Sequence, residues 1–171
     1  MLNFKKLTKN QEKQAGEIIS NGPLKEKIAL RKITSQTVRA ICDLTVGENQ
    51  RTLVTANAIS LAEAYFYKNA WFRAIYAGET PVGFIMLYQI PARGYYYLWR
   101  FMIDAKYQGR GYGTRALEKV LTKVRKNPKA KAVKLSLVRM DGCAEPFYRK
   151  FGFEFTGQIR HGQHIMKLFL K

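Results

Sequence analysis

The order of elements legible in this chain predicts an α/β protein, with a mixed central sheet of about seven strands and helices on both faces. Three observations carry that prediction. The stretch WFRAIYAGETPVGFIMLYQIP, from Trp71, holds two β-rich runs around Gly78, Glu79 and Thr80, which is a hairpin signature. The stretch FMIDAKYQGRGYGTRALEKVL, residues 101 to 121, joins an apolar run to a helical pattern through a glycine-rich turn. The run AVKLSLV, residues 132 to 138, is a strand set between two helical segments. A length of 171 residues suits one domain with its own core.

In chain order, residues 1 to 25 read as a polar helical extension closed by Asn21, Gly22 and Pro23, and a single domain occupies residues 26 to 171. KIALRKIT (27 to 34) is the first strand, with Ile28 and Leu30 alternating. Ser35 is a plausible N-cap, and Val38, Ile41 and Cys42 at helical spacing predict a helix from about residue 36. TVGENQR is a polar connection to a second helix from about Thr55 to Tyr67. After the hairpin, GYYYLWRFMID is a long aromatic strand. Beyond the glycine turn, Ala116, Leu117, Val120, Leu121 and Val124 form one apolar face of a helix that exposes Arg115, Glu118, Lys119 and Lys123. AEPFYRKF is a short helix ended by Gly152, and EFTGQIRHGQHIMKLFL is a closing hairpin with His161 and His164 flanking its turn. Two histidines without carboxylate or cysteine partners do not make a metal site.

The chain carries 30 Lys plus Arg against 12 Asp plus Glu, a formal charge of +18. With 47% hydrophobic and 13% aromatic residues it is nonetheless a folding sequence and not a disordered one. The charge predicts attraction to anions that weakens as salt rises, without choosing among phosphates, nucleic acid and anionic lipid. The basic residues are spread over the chain, not gathered in a tail or striped with aromatics, so a nucleic-acid partner is the lesser reading. Cys42 and Cys143 are too few and too isolated for a disulfide framework, which makes a reducing cytosol the expected compartment. No apolar h-region follows the basic N-terminal residues and no apolar run approaches the length of a membrane span, so neither secretion nor a membrane partner is expected.

A strand followed at once by glycines and a helix start is a physical recipe for holding phosphate. The first N–H groups of a helix lack intrahelical partners, the helix dipole is positive there, and glycine admits a ligand close to the main chain. Gln108, Arg110 and the Thr114 hydroxyl can add side-chain contacts. Spacing excludes two familiar phosphate cradles. No Gly-x4-Gly-Lys-Ser/Thr string occurs, and the third glycine of a dinucleotide fingerprint, three places after Gly111, is replaced by Thr114.

What remains, Gln108-Gly109-Arg110-Gly111-Tyr112-Gly113, resembles the acetyl-CoA-binding turn of the GNAT superfamily of N-acetyltransferases. AEPFYRKFGF resembles that family's late helix, with Tyr148 three residues before Phe151-Gly152-Phe153. The two signatures come in the family's order, with one helix and one strand between them, and the resemblance covers about residues 27 to 170. ICDLTVGENQ, WFRAIYAGETPVGFIMLY and YYLWRFMIDAKYQGRGYG are most similar to bacterial members grouped as spermine/spermidine (diamine) acetyltransferases.

The resemblance implies the GNAT fold and direct transfer of acetyl from acetyl-CoA to an amine, with no protein nucleophile. It places the pyrophosphate on the N–H groups of Gly109 to Thr114, the pantetheine arm along the main chain of Phe101, Met102 and Ile103, and the general acid at Tyr148. The chain departs from the family pattern twice. Asp141 stands where many relatives have an Asn that touches the pantetheine. Trp99 and Arg100 stand where a polyamine acetyltransferase often has its carboxylate base, and neither side chain can accept a proton. A base, or an acidic pocket for a cationic amine, must then come from Asp43, Glu48 or Glu63, or from an ordered water. The expected acceptor is a small amine, a polyamine first, with an aminoglycoside-like or protein amine as the alternative. Members of the family commonly form homodimers.

Overall fold

The computed structural model describes residues 26–170. The expected N-terminal extension lies outside these residues. Seven strands form one sheet in the order β1-β2-β3-β4-β5-β7-β6. They are β1 (Ile28–Arg31), β2 (Ala70–Ala77), β3 (Thr80–Ile90), β4 (Tyr95–Ile103), β5 (Ala132–Leu137), β6 (Glu154–Arg160) and β7 (Gln163–Phe169). The helices are α1 (Val38–Cys42), α2 (Asn57–Phe66), α3 (Tyr112–Arg125) and α4 (Glu145–Arg149). Only β4 and β5 pair in parallel, because α3 carries the chain back across the sheet between them. The other neighbours are antiparallel.

The sheet separates two cores. On one face α3 buries Ala116, Leu117, Val120, Leu121 and Val124, the five residues its periodicity selects, against Ile75, Ile85, Leu87, Leu98, Val133 and Leu135. On the other face Ile41 of α1, with Leu61 and Ala64 of α2, packs against Ala74, Phe84, Met86 and Met102.

Three expectations change at element ends. The first strand closes at Arg31, where its guanidinium turns to the β2–β3 turn and pairs with Glu79 at 2.6 Å. Helix α1 starts at Val38, not at 36, and its N-cap is Thr37. Ser35 loses that role because the Thr37 hydroxyl accepts the Thr34 N–H at 2.9 Å, closing a turn that leaves Ser35 outside the helix. The polar connection after α1 contains a single 3-10 turn, Glu48–Gln50.

Strand β4 has a bulge. Met86 faces Arg100 while Leu87 faces Leu98, so Trp99 is the extra residue. Before the bulge Leu98 points to the α3 side, and after it Phe101 and Ile103 do so again. Trp99 and Arg100 therefore share the α1–α2 side, where Trp99 packs against the smaller core and Arg100 reaches α2.

Candidate active site

Pairing of β4 with β5 ends at Leu98 opposite Leu135, whereas β3 follows β4 as far as Ile103. The two parallel strands part beyond that point. They open a cleft of about 790 Å³, a volume in the range of small-molecule sites. The cleft is lined by Leu98 to Ile103 on one wall and by Leu135 to Val138, Gly142 to Ala144 and Pro146 to Tyr148 on the other. Val46, Gln50, Leu53, Val54 and Thr55, from the loop between α1 and α2, form its lip, and Gln108 to Thr114 close one end except for Arg110.

The closed end is the glycine turn. Gly111, with φ of 74°, is the N-cap of α3, and Gly109 has φ of 76°. These left-handed conformations turn successive N–H groups the same way. Among the described residues, none of the backbone N–H groups of residues 109 to 114 donates to a protein acceptor; the first one engaged is that of Arg115, on the Gly111 carbonyl at 3.2 Å. The turn is thus a nest of free donors at the positive end of a 14-residue helix.

The side chains around it divide. The Gln108 amide points inward, donating to the Ile103 carbonyl and to Gln50 Oε1, both at 2.9 Å, and so ties the turn to the end of β4. Tyr112 is buried under the turn, its hydroxyl donating to Glu26, whose backbone carbonyl also receives Arg115. That bond, with burial second, raises the Tyr112 phenol. Arg110 lies outside the lining with its guanidinium over the Tyr107 ring. Thr114 is exposed at the mouth. The Gly113 Cα faces Ile103, Phe101 and Phe147, and a Cβ there would sit at 3.5 to 3.7 Å from them.

The Tyr148 side chain lines the cleft from α4. It packs edge-on to Phe147 and Phe153, at 5.2 and 5.7 Å between ring centres, and only 8% of the residue is exposed. Burial pushes its phenol well above the ordinary tyrosine range. Among the described residues its hydroxyl has no hydrogen-bond partner, which leaves it available to a ligand. Helix α4 is held by Glu145, which receives Arg149 at 2.7 Å and lies 3.3 Å from Arg139. Asp141 is exposed in the loop before α4 and does not line the cleft; its neighbours Gly142 and Cys143 do.

The expected acidic residues are not brought together. Asp43 is exposed, Glu48 lies 3.7 Å from Arg51, and Glu63 receives Arg100 at 2.9 Å. None of the three lines the cleft, and no other carboxylate does among the described residues. Among the described residues the Arg100 Nε is buried without a partner. Ser136 and Gln163, lining residues that sequence reasoning did not single out, join Tyr97 hydroxyl to hydroxyl to amide where β4 and β5 separate. Ser136, a polar residue inside the apolar run AVKLSLV, was the available signal. Asp104, also passed over, is buried and structural; it accepts the N–H groups of Thr45 and Lys106. Among the described residues no three His, Cys, Asp or Glu side chains gather as metal ligands would.

A donor nest at one end, a free β4 edge along one wall and an acid-capable phenol on the other fit the phosphate, amide-bearing arm and thiol of coenzyme A. The acetyltransferase (GNAT) family model matches residues 38–153. The chain is 30% identical over 149 residues to a spermine/spermidine N(1)-acetyltransferase of Bacillus subtilis, with 81% of this chain and 96% of that protein covered. Its fold is similar to that of the PaiA N-acetyltransferase of Thermoplasma acidophilum in complex with coenzyme A (TM-score 0.65, 17% identity, 84% of this chain and 99% of that one). It is also similar to that of Tetrahymena GCN5 (TM-score 0.62, 19% identity, 85% and 96%). The chain therefore belongs to the GNAT acetyltransferase family, as an acetyl-CoA-dependent N-acetyltransferase.

Proposed function

We propose that this enzyme acetylates a primary amine of a linear polyamine, of the spermine or spermidine kind. The likeness at 30% identity to a spermine/spermidine acetyltransferase over most of both chains carries the acceptor class. The parting of β4 and β5 carries the chemistry, because it supplies an unpaired strand edge beside a phenol.

Acetyl-CoA supplies an activated acyl group and a thiolate leaving group. The N–H groups of residues 109 to 114 hold its phosphates, and the main chain of Phe101, Met102 and Ile103 aligns its arm and presents an N–H to the acyl oxygen. Tyr148 keeps its proton at neutral pH, gives it to the departing sulfur and is reprotonated as the new amide nitrogen sheds its extra proton to water. The acceptor enters past the lip at residues 53 to 55 and meets Trp99. With no carboxylate among the described residues lining the cleft, its ammonium proton goes to water.

An amine panel with free-thiol detection tests the reading. Thiol release with spermine and spermidine, at kcat/KM well above that for aminoglycosides and peptide amines, is the expected result; release confined to either of the latter classes overturns the polyamine assignment.

A further inference from the structure

Resting on the polyamine reading, we propose that an aromatic track, Trp99, Tyr67, Tyr88 and Tyr95, holds the charged far end of the acceptor in place of carboxylates. Trp99 stands in the cleft wall. Tyr67, at the end of α2, meets it edge-on at 5.1 Å between ring centres. Tyr88 lies 6.3 Å from both, and Tyr95 another 6.3 Å beyond Tyr88. Trp99, Tyr67 and Tyr88 thus form a triangle at the cleft wall with Tyr95 beyond it, and Tyr67 is 49% and Tyr95 39% exposed. Asn69 donates to the Tyr88 hydroxyl at 3.2 Å and fixes that ring.

The physical case has three parts. A chain with +18 charge and no carboxylate among the described residues lining its cleft needs another way to hold a cation, and the negative face of an aromatic ring supplies one. The spacing of the rings is close to that of successive nitrogens in an extended polyamine, so two or more charges can be met at once. The track also has a direction. Trp99 at the inner end already faces the Arg100 guanidinium at 5.2 Å, so the charged amines fall to Tyr67, Tyr88 and Tyr95 while Trp99 flanks the reacting amine. Neighbouring aromatic residues on α2 and β4 take no part. Tyr65 and Phe66 pack on each other, largely exposed, and Tyr96 is buried in the opposite core with its hydroxyl on Asn127.

Steady-state kinetics on Tyr67→Leu, Tyr88→Leu and Tyr88→Phe provide the test. Each leucine variant should raise KM for spermidine about three- to fivefold, as expected for one partly exposed cation–π contact. KM for acetyl-CoA and for n-butylamine, which has no second charge, should change less than about twofold, and Tyr88→Phe should behave as wild type because the ring remains. A spermidine analogue fully methylated at nitrogen should still compete with spermidine, since a ring face needs no N–H donor. If wild type acetylates spermidine but the leucine variants leave its KM unchanged, or raise the n-butylamine KM equally, the track is wrong and the polyamine reading stands. If wild type releases no thiol with any polyamine, both fall.

Discussion

Burial keeps the Tyr148 phenol protonated far into the alkaline range, and two consequences follow at this residue. Removing the hydroxyl in Tyr148→Phe should lower kcat by about a hundredfold, the lower end for a lost general acid, with little change in acetyl-CoA affinity by calorimetry. An unchanged kcat would take the acid role away. The pH profile follows from the sign of the shift. A raised phenol pKa means that the folded enzyme retains a proton the unfolded chain loses near its ordinary value of about 10, so the associated stability is full below pH ~10 and declines above it. The rate should accordingly climb with pH as the acceptor loses its proton, with no descending limb from Tyr148 below about pH 10. A lower basic limb that vanishes in Tyr148→Phe would contradict this.

At the level of elements, two glycines make different predictions. A Cβ at Gly83 would lie 2.4 Å from the Met102 carbonyl oxygen, so Gly83→Ala must push β3 from the cleft segment of β4. Its cost should be at least the ~1–3 kcal/mol of an overpacked core, seen as a lower Tm together with weaker acetyl-CoA binding. At Gly111 a Cβ meets nothing within 4 Å and the penalty is the left-handed backbone alone. Gly111→Ala should cost about 1–2 kcal/mol, roughly 2–8 °C in Tm, without a clash. The donor half of the site was legible because it consists of local devices: glycines before a helix, an apolar face at helical spacing, a tyrosine at a set distance from Phe-Gly-Phe. The acceptor half was not, because it depends on distant pairings. Nothing near Glu63 in the chain announces that Arg100 will claim it, and nothing near Tyr88 places it against Trp99 and Tyr67. The five-residue α1 was read too early because Ser35 is as good a cap by type as Thr37, and the Thr34 N–H decides between them.

Over the whole molecule, the +18 charge draws the two substrates in opposite directions. Raising NaCl from about 0.01 to 0.1 M shortens the screening length from roughly 30 to 10 Å, which weakens long-range attraction and repulsion alike. In that range kcat/KM for acetyl-CoA should fall, while kcat/KM for spermidine should rise or hold level. A parallel fall for both would mean that an acidic pocket, absent from the described cleft, draws the polyamine. The bulge at Trp99 gives the molecule one more property. It acts as a coupling that lets the two halves of β4 be retuned separately: in the reading proposed above, Tyr95 and Trp99 bear on which amine is accepted, Phe101 to Ile103 on how the acyl donor is presented. A lineage could exchange acceptors by changes upstream of that joint and inherit the delivery of the acetyl group intact.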